Sequence, residues 1–139
     1  MIKIYHIALL VLSMTVIHFL AIPLGMYQGS NIWIDKPLHI MGGMAFAMIG
    51  LLVVQRKLAN ADLSVGGFLI LSFALFGSFM WELFEFVLFS WFNEYALRLR
   101  LYSPTVKDAL FDMLFGLVGG LIIALIVSMK NSHDKRISK

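Results

Sequence analysis

Four apolar stretches, at about residues 4–26, 37–54, 65–92 and 105–129, fill most of this chain of 139 residues. Each approaches the roughly 20 residues that a helix needs to cross a hydrocarbon core. In hydrocarbon every backbone N–H and C=O must find its partner within the protein, so runs of this length form helices. The expected fold is therefore all-α: a four-helix transmembrane bundle, one integral membrane domain over 1–139 with a short basic tail from 130 to 139. A soluble alternative fails on composition. With 60% hydrophobic residues, 14% charged and a mean hydropathy of +0.89, too little polar surface exists to cover a soluble domain.

The first stretch has the look of a signal peptide, because Lys3 precedes the apolar run from Ile4. The run is about twice the usual signal-core length, and no small-x-small cleavage site follows Pro23-Leu24-Gly25-Met26-Tyr27, so it is expected to be retained. Its two histidines, His6 and His18, read as interfacial or packed residues, not ligands. The chain contains no cysteine, which removes disulfides, thiolate catalysis and sulfur-ligated metal.

Threading four helices puts Lys3, Arg56, Lys57, Lys130, Lys135, Arg136 and Lys139 on one side, so both termini are expected to be cytoplasmic. The other side holds Lys36, Arg98, Arg100 and Lys107, with Trp33, Trp91, Tyr95 and Tyr102 as an aromatic belt. The net charge of +3 reflects these flanking cations, so no nucleic-acid surface is expected.

Five of the eight acidic residues, with one histidine, fall inside or at the mouth of the apolar segments: Asp35, His39, Glu82, Glu85, Asp108 and Asp112. An ionisable group at helix-centre depth costs about 2.5–3.5 kcal/mol on insertion scales, so such groups mark function. The threading brings all six to one depth on the outer, extracytoplasmic side. Asp35 and His39 open the second helix, Asp108 and Asp112 open the fourth, and Glu82 and Glu85 lie late in the outward-running third. Each pair is spaced by three or four residues, as neighbours on one helix face are. Below them run small-residue stripes: Gly43 and Ala47, Gly116 and Gly120, Ala74 and Ser78, the faces on which membrane helices approach closely. Capping accounts for two of the acids. Asp35 before Lys36-Pro37 suits a helix start, and Thr105-Val106-Lys107-Asp108 reads as a capping box. It does not account for His39, Glu82, Glu85 or Asp112.

Five carboxylates in a small volume need compensation by protonation, by Lys36, Arg98, Arg100 or Lys107, or by a divalent cation. A ligand set of carboxylates with one imidazole suits magnesium, manganese, iron or zinc, drawn from Asp35, His39, Glu82, Glu85, Asp108 and Asp112.

The order Asp35-Lys36-x-x-His39, then Trp81-Glu82-x-x-Glu85, then Asp108-x-x-x-Asp112 with Gly116, resembles the VanZ-like and YjdF-type small membrane proteins of bacteria over residues 35 to 120. VanZ-like members usually carry amides where this chain has Glu85 and Asp112, a departure shared with the YjdF-type branch. The resemblance implies a multi-pass protein of the bacterial cytoplasmic membrane.

The leading functional expectation is a metal-dependent membrane enzyme acting on a phosphorylated lipid or lipid-linked head group at the outer leaflet. His39, Glu82, Glu85 and Asp112 are its candidate catalytic groups, with Arg98 and Arg100 holding the phosphate. Two alternatives stand beside it: a cation or proton pathway, which needs polar residues continuing to the other side, and a non-catalytic interaction protein whose polar seam fixes helix pairing. The oligomeric state stays open.

Overall fold

The computed structural model describes residues 2–27, 33–54, 63–102 and 105–137. Over these the chain is helical: α1 (Ile4–Ala21), α2 (Asp35–Val54), α3 (Leu63–Trp91), α4 (Asn93–Leu99) and α5 (Val106–Ile137). The first three and the last are long and apolar enough to cross a membrane. Of their windows, that of α2 has the lowest mean hydropathy, 1.5, because Asp35, Lys36 and His39 occupy its opening.

Two helix ends differ from the sequence expectation, and one short helix is added after the third span, which ends close to where it was expected. The first helix stops at Ala21, not near residue 26, because Pro23 has no N–H to continue the ladder. Gly25, at φ 69°, completes a Schellman closure with Gly25 N–H on the Ile22 carbonyl and Met26 N–H on that of Ala21. The third helix breaks at Phe92, whose φ of −133° starts the separate short α4. At the far end, α5 runs past the expected end near residue 129 and continues to Ile137, through most of the short basic tail. Arg56 and Lys57, part of the orientation argument, lie outside the described residues.

α2, α3 and α5 pack against one another, α1 packs on α2, and α4 on α3. Lipid offers no hydrophobic drive for helix association, so close van der Waals contact must hold the three together. The small-residue stripes supply it. A methyl at Gly43 would run into the Gly116 backbone, one at Gly116 into Ser78, and one at Gly120 into Ala74. Ala47 and Ala74 are fully enclosed in the same seam. Outside it, Phe68, Phe76, Phe86, Leu121 and Leu125 are exposed, as lipid-facing side chains are. Trp33, Trp91 and Tyr95 are exposed at the end of the bundle that carries the polar cluster, where an aromatic belt would lie.

The fourth spanning helix is capped as its sequence indicates: the Asp108 N–H donates to Thr105 Oγ1 at 3.1 Å. Thr105→Ala is expected to cost about 1 kcal/mol. Thermal unfolding in detergent should register a drop of a few degrees, with no change in helix content at low temperature.

Candidate functional site

The openings of α2 and α5 and the last third of α3 meet at one end of the bundle. There the chain buries His39, Glu82, Glu85 and Asp112. Lys36 ties the cluster together. Its ammonium donates to Asp112 Oδ1 at 2.6 Å and Asp108 Oδ1 at 3.0 Å, and lies 3.7 Å from Asp35 Oδ2. Of the four cations that the sequence offers as compensation for the carboxylates, Lys36 is the one paired with Asp35, Asp108 and Asp112 among the described residues.

The imidazole of His39 is surrounded by carboxylates. Nε2 stands 3.5 Å from Asp35 Oδ1 and 3.8 Å from Asp112 Oδ2, and Nδ1 stands 3.6 Å from Glu82 Oε1. These separations are long for hydrogen bonds. They are close to those of co-ligands: two donors about 2.0–2.2 Å from one tetrahedral ion stand roughly 3.3–3.6 Å apart. Asp35, His39 and Asp112 each offer a ligand atom, all within 4.8 Å of one another. Glu82, on the opposite ring nitrogen, occupies the place from which a carboxylate orients a ligating imidazole.

Asp112 is 1% exposed. Lys36 satisfies its Oδ1, while its buried Oδ2 has no hydrogen-bond partner among the described residues. A buried carboxylate oxygen left unmatched costs roughly 1–3 kcal/mol or more, so this orphan atom facing His39 and Asp35 fits a cation between them.

The six expected ligands thus divide. Asp35, His39 and Asp112 converge, with Glu82 behind His39. Asp108 is turned to Lys36, and Glu85 Oε1 accepts the Trp81 indole N–H at 3.0 Å. The two arginines also part: Arg98 is exposed, whereas Arg100 lines a cleft that reaches the cluster. Arg98 lies on the last turn of α4, whereas Arg100 is its left-handed closing residue, where the chain leaves the helix.

That cleft, about 410 Å³, lies over α2 between α1 and α3, with Asp35, His39, Glu85 and Arg100 among its lining. Its rim is fastened by His18, half-buried as a packed residue. Tyr27 donates to His18 Nδ1 at 2.6 Å, and His18 Nε2–H donates to the Leu99 carbonyl at 2.8 Å. Burial, with the charges of Asp35 and Glu85, pushes the Tyr27 phenol above its ordinary pKa, so it stays a proton donor and fixes that tautomer. His6 takes a smaller part, accepting the Lys3 N–H at 3.0 Å where α1 begins.

A family model described as "Predicted membrane protein (DUF2238)" matches residues 4–133. The chain belongs to this family. No curated protein and no solved structure gives a match. In this DUF2238 protein the matched region contains all four candidate spans and every residue of the cluster. The protein is a multi-pass membrane protein by both criteria. The match supports a small membrane protein family and does not reach the VanZ-like or YjdF-type resemblance.

Proposed function

We propose that this protein is a metal-dependent enzyme of the bacterial cytoplasmic membrane, related to the VanZ-like and YjdF-type proteins, acting on a phosphorylated lipid or lipid-linked head group. One observation carries the reading: the buried, unmatched Oδ2 of Asp112 faces His39 Nε2 and Asp35 at co-ligand spacing. Asp35, His39 and Asp112 hold a divalent ion. Such an ion polarises a phosphoryl oxygen or activates water. Glu82 orients His39 from its Nδ1 side. Lys36 offsets the charge of Asp108 and Asp112, and Glu85, held by Trp81, faces the substrate cleft as a candidate acid or base.

Elemental mass spectrometry of purified protein tests this. Wild type should carry close to one equivalent of a divalent transition metal or bind added Mn²⁺, and Asp112→Asn, nearly isosteric, should lose it while expressing normally. Metal-free wild type that ignores added Mg²⁺, Mn²⁺ and Zn²⁺ would sink the proposal.

A second reading is favoured by the same lysine. Lys36 already neutralises two carboxylates across α2 and α5, which is what a structural polar seam requires. A transport pathway has less support: inward of the cluster the described seam is Gly43, Ala47, Ala74, Gly116 and Gly120, with Ser78 the polar member.

Both termini and the basic segments face the cytoplasm in this reading, and the cluster faces outward. Cysteine introduced at Asn93 should then react with an impermeant thiol reagent in intact cells, and cysteine at Asn60 should not. The reverse pattern would turn the site inward.

A further inference from the structure

We infer that the cleft between α1 and α3 receives the hydrocarbon chain of a lipid whose phosphate is held at its mouth by Arg100; this rests on the lipid-directed reading above and names the binding mode. The charged groups of the cleft are gathered at one end, with Thr15 and Ser78 the polar side chains farther in. Asp35, His39, Glu85 and Arg100 stand at the mouth, while Val11, Met14, Phe46 and Ile49 wall the depth. Along α2 it runs from Asp35 to Ile49, about 21 Å at 1.5 Å per residue, the reach of an extended hydrocarbon chain. α1 and α3 flank it without packing on each other, so a chain can enter from the side.

Two residues have no other evident reason to be where they are. Gly42 lines the cleft, and a methyl there would meet only Met14 Sδ, at 3.9 Å; its neighbour Gly43 is pressed against Gly116. Glycine inside a helix is unfavourable by roughly 1 kcal/mol relative to alanine, and at Gly42 no close helix contact explains it. Its effect is to keep the cleft open. Arg100 sits at φ 56°, ψ 34°, the left-handed closing position of α4 where glycine is the rule. Among the described residues it makes no ion pair and is the only lysine or arginine lining the cleft. A guanidinium fork there is suited to a phosphate, whose charge it offsets beside Asp35 and Glu85.

Trp81 lines the cleft and can report on it. In a Trp33→Phe/Trp91→Phe background, the protein is placed in phosphatidylcholine nanodiscs doped with phosphatidic acid brominated on its acyl chains. Trp81 fluorescence should be quenched saturably at low mole fraction, whereas brominated phosphatidylcholine should quench only in proportion to its amount. Gly42→Phe, or Thr15→Phe from the facing wall, should abolish the saturable component. Arg100→Gln should weaken it by about tenfold or more, the size of one lost charge-assisted hydrogen bond. Equal quenching by the two lipids, or a saturable component that survives both wall substitutions in monodisperse protein, overturns the inference. Repeating the titration with Asp112→Asn in EDTA separates the two proposals. Saturable quenching that persists there shows that the cleft holds lipid without the metal; where wild type itself carries and binds no metal, that result leaves the cleft and removes the enzyme, and metal binding by wild type without saturable quenching does the opposite.

Discussion

Gly116→Leu is expected to leave no folded bundle. A Cβ at this position would overlap the Ser78 hydroxyl, and the Gly116 backbone is itself the surface against which Gly43 rests. Overpacking a core normally costs about 1–3 kcal/mol through side-chain shifts. Here the side chain that would have to move is the buried Ser78 on α3, and the α2 backbone already stands in contact at His39 O, 3.8 Å away, so a leucine finds no room and the helices must separate. Association inside lipid depends on that contact, with no hydrophobic drive to restore it. Gly42→Leu is the matched control, because the same substitution one position before Gly43 enters the open cleft. Size-exclusion profiles and thermal unfolding after detergent extraction should show Gly42→Leu monodisperse and near wild type in melting temperature, and Gly116→Leu aggregated or absent. A Gly116→Leu protein that melts within a few degrees of wild type would mean that the three-helix seam does not hold the fold.

The small-residue seam was legible because its spacing is a backbone property: residues four apart share a face wherever the helix goes. So were the spans, since hydrocarbon leaves the backbone little choice. The helix ends were less legible. Pro23 with Gly25 is a readable stop that the unbroken hydropathy hid, but α4 ends on Arg100 in a conformation that glycine would have announced and arginine conceals. The polar cluster was found as six residues at one level, and the i, i+4 pairs do meet there. Which atoms converge could not be read. Lys36 and Trp81 have side chains long enough to choose partners on other turns and helices, and they draw Asp108 and Glu85 away from the Asp35, His39 and Asp112 group. Arg98 and Arg100 looked equivalent as a cationic loop until a short helix turned one outward and left the other over the cleft. The cleft itself is an absence of side chain at Gly42 between helices distant in sequence, and no local pattern encodes it.

Lys36→Met should destabilise the protein by about 3–5 kcal/mol, the scale of a buried ion pair broken on one side, because it strips the cation from Asp112 Oδ1 in a site that is 1% exposed. The melting temperature of the single variant should fall sharply, and Lys36→Met/Asp112→Asn should recover part of the loss, since no carboxylate is then left uncompensated there. Both the enzyme reading and the structural-seam reading expect this much. They diverge when metal is added. If Asp35, His39 and Asp112 bind a divalent ion, the ion supplies the positive charge that Lys36 no longer does, and at about a hundredfold excess over its dissociation constant it returns roughly 2.7 kcal/mol. Mn²⁺ or Zn²⁺ should therefore raise the melting temperature of Lys36→Met as well as that of wild type. The double variant, which lacks the Asp112 carboxylate, should not respond. A seam that only joins α2 to α5 has no use for the ion: Lys36→Met would stay unstable in every metal tested, and the double variant would be the more stable of the two with or without it. That outcome would make Lys36 the sole cation the cluster was built around and would remove the metal centre from this protein.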